Sequence, residues 1–174
     1  MSREILMDEV SRAKELLTNQ KYGEAKELLD SLIIKEKKND EIWYLRGVLS
    51  LKLKNYSKAQ EFLEKALAIK EKADYHKMKG MGYFEVFDLE SAILSFTKAL
   101  SLDSKDAVTH FFLAMSHMFM DDPRAAEHIR EAREIDAKKT KQLLSNFYTL
   151  FIEEDRRISD EQKKKIAGKI KDLG

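Results

Sequence analysis

Histidine is the side chain best suited to proton or metal chemistry near neutrality, and this chain has 4 of them. His110 and His117 lie in one stretch, HFFLAMSH, seven residues apart. On a helix that separation is about 10 Å along the axis, too far for one ion, whose ligands usually sit one turn apart. His76 and His128 lie elsewhere, the latter with acids around it, so ordinary packing or surface roles are expected of all four. KGMGYFE (Lys79 to Glu85) has two of the glycines of a phosphate loop, but no third glycine and no following Lys-Ser/Thr. The acidic run EEDRR, Glu153 to Arg157, sets its carboxylates beside arginines at a helix end, where solvated ion pairs are expected. KEKK (Lys35 to Lys38) and KKK (Lys163 to Lys165) are interleaved or flanked with acids and have no stacking aromatics, so they read as solubilising faces. No serine has a recognisable base motif near it, and with 0 Cys there is no thiol nucleophile, disulfide or thiolate metal site. The expectation is a non-catalytic protein: no enzyme activity, no catalytic residues, no cofactor and no metal.

Composition narrows the remaining classes. Hydrophobic residues at 43%, charged residues at 36%, only 6 Gly and a single Pro in 174 residues describe one soluble helical domain rather than a sandwich, a barrel or a disordered chain. Lys plus Arg at 32 against Asp plus Glu at 31 leaves a net charge of +1, so no global field draws the chain to nucleic acid or anionic lipid. The opening MSREILMDEV lacks the apolar core of a signal peptide, and runs such as FFLAM (Phe111 to Met115) fall far short of the roughly 20 residues needed to cross a bilayer. A cytoplasmic protein is expected.

The elements show themselves through repetition. NYSKAQEFLEKAL (Asn55 to Leu67) has counterparts in KYGEAKELLDSL, FDLESAILSFTKAL and DDPRAAEHIREAR. Small residues Ala13, Gly47, Gly80 and Ala114 are spaced by 34, 33 and 34. A second register holds Ala25, Ala59, Ala92 and Ala125, then Leu29, Leu63, Phe96 and Ile129, then Leu32, Ala66, Ala99 and Ala132. Small residues at fixed places on two successive helices allow the axes to approach, and the bulky residue between them fills the groove left. Each unit is therefore a helical hairpin. Asp121 and Asp122 before Pro123 suit an aspartate cap with proline at the first helical position. Ser159 and Gln162 have capping-box spacing, followed by Ile166, Ile170 and Leu173 on one face of a final helix.

This period and these residues resemble the tetratricopeptide repeat, a unit of about 34 residues with Trp, Leu, Gly and Tyr in its first helix and Ala, Phe, Ala in its second. Trp43, Gly47, Tyr56 and Ala59 match in the second unit; Gly80, Tyr83, Ala92, Phe96 and Ala99 in the third; Leu113, Ala114, Ala125 and Ala132 in the fourth. Lys37, Glu71, Ser104 and Ala137 replace the family's closing proline, and Arg46 and Lys79 replace the leucine before glycine. The resemblance covers Glu4 to Ala137. It implies an all-α, right-handed superhelical solenoid: four tetratricopeptide-like hairpins over 1–137, then C-terminal capping helices over 138–174.

In the family the first helices line a concave groove. Here that face holds Val10, Leu17, Tyr44, Val48, Leu51, Met81, Phe84, Phe111, Met115 and Met118. A methionine- and aromatic-rich face suits an apolar peptide or amphipathic helix, since methionine repacks around different shapes. The expected site is therefore a partner-binding groove of Tyr44, Val48, Leu51, Met81, Phe84, Phe111, Met115 and Met118, occupied by a segment of another protein. The lysines and asparagines with which some family members clamp chaperone tails are missing there. Two alternatives stay open: the same face could join copies into a homo-oligomer, or be core covered by the apolar Leu143, Leu144, Phe147 and Phe151 of the tail. A nucleic-acid-binding helical repeat is the reading least supported by the charge.

Overall fold

In a computed structural model of the chain, the described residues are 3–153 and 158–173, with no side chains described for Arg3, Leu150, Phe151 and 169–173. Helices α1 to α8 run Arg3–Thr18, Tyr22–Lys35, Asp40–Lys52, Tyr56–Ile69, Ala73–Glu85, Leu89–Leu102, Ala107–Phe119 and Arg124–Phe147. A π-helical turn, Tyr148–Glu153, and α9, Asp160–Leu173, follow. Residues 154–157 of the EEDRR run, and the side chains of Ile170 and Leu173, lie outside the described residues. The chain divides into two compact units, Met1–Ser95 and Phe96–Gly174.

The first unit is built on pairs of antiparallel helices whose small residues meet bulky ones. Its core gathers Val10, Ala13 and Leu16 of α1, Ala25, Leu29 and Leu32 of α2, and Ile42, Leu45 and Leu49 of α3. Every position of the alanine registers is buried along the whole chain, including Ala59, Leu63 and Ala66 on α4. One close crossing lies at Gly47. A Cβ there would stand 2.8 Å from Leu63 Cγ and 2.9 Å from Cδ2, closer than carbon atoms tolerate. Gly82 is a second such place, where a Cβ would meet Gln60 Nε2 at 2.6 Å and Leu51 Cδ2 at 3.0 Å.

The turns repeat as faithfully as the helices. Gln20, Lys54, Phe87 and Asp121 all take positive φ, between 54° and 63°, and none is glycine. Each ends a first helix with the same pair of hydrogen bonds; Lys54 N–H donates to Leu51 C=O at 2.9 Å and Asn55 N–H to Ser50 C=O at 2.8 Å. These bonds satisfy carbonyls that the helix end leaves open, and they offset the crowding of a Cβ in the left-handed region.

Arg46 and Lys79, which replace the family's leucine, find carboxylates on the preceding helix. Arg46 Nε donates to Asp30 at 2.6 Å with its guanidinium 5.1 Å from the Phe62 ring centroid, and Lys79 pairs with Glu64 at 3.0 Å. Partial burial would raise the Asp30 carboxyl, but the hydrogen bonds from Arg46 and Lys26 outweigh it and hold it below the ordinary carboxylate value.

In the second unit α7 packs on α8 through Leu113, Ala114, Ala125, Ile129 and Ala132. Asp122 accepts from Arg124 N–H at 2.9 Å and caps α8 next to Pro123. Within α8 the backbone breaks at Asp136, with φ −153° and ψ 91°. Its carboxylate accepts from Lys139 N–H at 2.8 Å, so Asp136 ends one helical run and caps the next. At α9 the Ser159 and Gln162 pair forms the expected reciprocal box, at 2.9 and 3.3 Å.

Two outcomes test this construction. Gly47→Leu should lower stability by about 1 to 3 kcal/mol through overpacking against Leu63, read in thermal or urea denaturation. Gln20→Gly should raise it by about 1 kcal/mol by relieving a left-handed non-glycine residue; an unchanged melting temperature would mean that the turn holds no such strain.

Candidate functional site

Positions 44, 48 and 51 fall on one stripe of α3, beside the crossing at Gly47, because residues three and four apart share a helix face. Tyr44 is half-buried and stacks on Tyr75 of α5, centroids 4.6 Å apart and planes 23° apart. Tyr75 is buried, and its hydroxyl donates to Asp40 Oδ2 at 2.6 Å while accepting from Lys72 Nζ at 2.9 Å; Lys72 also pairs with Asp40 at 2.7 Å. Burial, and then the adjacent Asp40 carboxylate, push the Tyr75 phenol far up, so it stays a donor. Burial alone would also raise Asp40, but the hydrogen bonds from Lys72 and Tyr75 win and hold it ionised. This charged cluster pins the start of α3 to the start of α5.

Farther along the same two helices the surface opens into a cleft of about 270 Å³, lined by Val48, Leu51, Met78 and Met81 with Lys52, Lys54, Tyr56 and Glu85 around them. Val48, Leu51 and Met81 are each half-buried. Tyr56 Oη donates to Glu85 Oε2 at 3.4 Å, and partial burial followed by the Glu85 charge raises the Tyr56 phenol. The cleft has an apolar floor and a rim of both signs of charge. Met78, one turn before Met81, was within reach of the helical spacing; Tyr56 and Lys54 come from the turn, where periodicity carries no signal.

Phe84 is buried at 5% exposure. In the second unit Phe111, Met115 and Met118 are buried at 1, 0 and 7% exposure. The Phe111 ring meets Phe147 edge-on at 5.9 Å, and Phe119 lies 5.9 Å from the same ring. Leu144 and Ile152 are buried too and Leu143 half-buried, while the Phe151 side chain is outside the described residues. The stripe therefore holds two kinds of residue: half-buried Tyr44, Val48, Leu51 and Met81 on α3 and α5, and buried ones, Phe84 on α5 and the α7 group that lies against the chain's own tail.

Three of the histidines pack together. His128 of α8 reaches between His110 and His117, its ring centroid 5.5 Å from each. Sequence spacing along α7 held no sign of this, because the contact spans two helices. Among the described residues no group of three or more His, Asp or Glu has a geometry that could hold a metal ion. None of the described helices is long and apolar enough to cross a membrane.

Serine replacements separate the two groups on the stripe. Val48→Ser and Met81→Ser should each cost about 1 kcal/mol or less, since little burial is lost. Phe84→Ser and Met115→Ser should cost about 2 to 5 kcal/mol. Equal costs in urea denaturation would remove the distinction.

The sequence model of the tetratricopeptide repeat matches residues 16–81. A tetratricopeptide repeat-containing protein of Methanocaldococcus jannaschii, MJ1428, is 24% identical over 108 residues, which are 62% of this chain and 19% of that protein. The chain thus spans about a fifth of that relative. Among solved structures, MamA residues 41 to the end from Desulfovibrio magneticus RS-1 is similar with TM-score 0.68 at 24% identity over 77% of each chain. YrrB, a tetratricopeptide-repeat protein with an unusual peptide-binding site, gives TM-score 0.66 at 19% identity over 95% of this chain and 84% of that one. At these identities the neighbours speak for the fold alone, and they agree with what the chain itself displays: an all-α succession of helices with small residues every 33 or 34 positions and one repeated turn. Residues 16–81 thus match the tetratricopeptide repeat, and the fold as a whole is similar to that of tetratricopeptide-repeat proteins.

Proposed function

We propose that the chain is a non-catalytic protein-interaction module that holds a peptide or amphipathic helix of another protein, with residues 1–137 as the repeat body and 138–174 as its cap. The observation that carries this reading is the half-open cleft between α3 and α5, where Val48, Leu51, Met78 and Met81 form an apolar floor under a rim of Lys52, Lys54 and Glu85. An apolar floor gains from burying a side chain, and charges of both signs at the rim fix its orientation. Tyr44 extends this surface, its hydroxyl held protonated by burial and the neighbouring Asp74. The peptide-binding site of YrrB, a neighbour in fold, is consistent with this reading.

Phe111, Met115 and Met118 of the second unit belong to the same proposal as a reserve surface, and Phe84 belongs to the first unit's part of it. They contribute to capture where an incoming segment displaces what now covers them. The near-neutral charge argues against nucleic acid and anionic membrane as partners, and a cytoplasmic setting suits a chain with 0 Cys. Self-association through the same surface is the competing outcome.

The test is affinity capture followed by a charge block. Partners recovered by the wild-type chain and identified by mass spectrometry should be lost with Val48→Glu and Met81→Glu, while the melting temperature stays near wild type. Binding that survives both substitutions, or that falls steeply with salt as counterion release would require, overturns the reading. A chain ending at Ala137 should bind more tightly or self-associate in light scattering, because Phe147 no longer lies against Phe111. A truncated chain that stays monomeric and binds nothing counts against the groove.

A further inference from the structure

The three histidines between α7 and α8 form a column whose hydrogen bonds dictate its protonation. His110 Nε2 lies 3.1 Å from Ser104 C=O, an acceptor only, so Nε2 must carry the proton. The Nδ1 of neutral His110 is then a bare lone pair. It faces His128 Nδ1 at 3.3 Å, so His128 must donate, and its own proton sits on Nδ1. His117 stacks on the other face of this pair, its ring 10° from parallel with His128. Its Nδ1 is buried without a hydrogen bond, 3.3 Å from Asp122 Oδ2 but out of line with it.

Asp122 Oδ2, 3.3 Å from His117 Nδ1, favours a charged His117, but burial, the largest influence, and Arg124 outweigh it. Asp122 is engaged by Arg124, whose hydrogen bonds are the largest influence holding its carboxyl well below the ordinary range. Glu127 on α8 favours a charged His128 and Arg124 opposes it. Asp106, which caps α7, accepts from Val108 N–H and the Thr109 hydroxyl. A proton on His110 would turn its Nδ1 into a donor facing the His128 donor, which breaks the bond. A proton on His128 or His117 would place a charge against a stacked, partly or fully buried ring.

We propose that His110, His128 and His117 form a proton-sensitive latch that holds α8 on α7 while all three are neutral, and that acidification parts the two helices and uncovers Phe111 and Met115. The α8 helix that bears His128 continues, past the break at Asp136, into Leu144 and Phe147, the residues lying against that face. In this proposal movement of the first run carries the second with it through the chain at Asp136. The direction agrees with the titration of the folded chain. Burial, the largest cause for both, lowers the pKa of His117 and His128 below the usual 6.5, with Arg124 next for His117 and the neighbouring histidines next for His128. A histidine depressed in the folded state takes its proton first in the opened state, so the stability it lends is complete above about pH 6.5 and is lost progressively as pH falls from there through the lower folded-state value. Opening is a property of the chain alone; only its consequence for capture rests on the proposed function.

Hydrogen exchange of the full chain, read by mass spectrometry at about pH 7.5 and about pH 5.5 with intrinsic rates corrected, tests the latch. Protection in α7 and α8 should be lost at the acid pH while α3 and α4, which contain no histidine, keep theirs. His128→Gln, which retains a donor to His110 but cannot take a charge, should diminish the difference. Equal retention in the two helix pairs overturns the latch, as does an undiminished acid loss in His128→Gln. If that variant fails to fold, ring-nitrogen NMR of the wild-type chain decides. His110 protonated at Nε2 and His128 at Nδ1 support the column, and either opposite tautomer removes it.

Discussion

The structure of the first unit depends on the absence of a side chain at Gly47. Leu63 occupies the space a Cβ would need, at 2.8 Å, and the axes of α3 and α4 come together there. Once that contact is fixed, the rest of α3 has no rotational freedom. Positions 44, 48 and 51 flank the crossing, so they turn toward α5 as a set, and Tyr44 meets Tyr75. A larger residue at the crossing would move the hairpin and, with it, the side chains that line the cleft. Packing within the repeat and presentation of the surface are one constraint.

Between helices the same economy appears in the turns. Four non-glycine residues accept a left-handed backbone at matching places, each with a six-to-one hydrogen bond that satisfies a helix-end carbonyl. This explains how a chain with few glycines and one proline can repeat a tight turn. The second helices then leave each turn in the same way, which keeps the small residues in register despite the one-residue shortening between Gly47 and Gly80. At Arg46 and Lys79 an ion pair to the preceding helix stands where the family has a leucine. Arg46 keeps its stem buried and reaches its partner at the edge, so the substitution changes the chemistry of the junction without opening a void.

The repeat was legible because small residues recur at 33 and 34 positions, and a helix converts that spacing into a fixed face. What the residues on that face touch was less legible. Phe84, Met115 and Val48 look alike on the stripe, yet Val48 is half-open and the others are buried. The difference arises from contacts between distant segments, such as Phe147 with Phe111, for which sequence spacing has no rule. Gly82 was hidden for a different reason: two glycines in one helix satisfy the pattern, and only the positions of Gln60 and Leu51 show that the second is crowded. His128 belongs to the same class of surprise, since its partners are set by the crossing of α7 and α8.

The cleft survives because its two ends are held by polar contacts. The Asp40, Lys72 and Tyr75 cluster ties the starts of α3 and α5, and Tyr56 reaches Glu85 near the other end. Apolar side chains alone would favour collapse until Val48 and Leu51 met Met78 and Met81, since closing the gap removes apolar surface from water. Directional bonds with defined lengths resist that closure, and the stacked tyrosines set a separation that neither ring can shorten. The floor therefore stays partly exposed without a partner. Methionine is suited to this position because its unbranched chain can settle over the gap or move aside at little cost. Under the proposed function, entry of an apolar side chain would bury this floor, and the charges of Lys52, Lys54 and Glu85 at its rim would select which segment can follow it in.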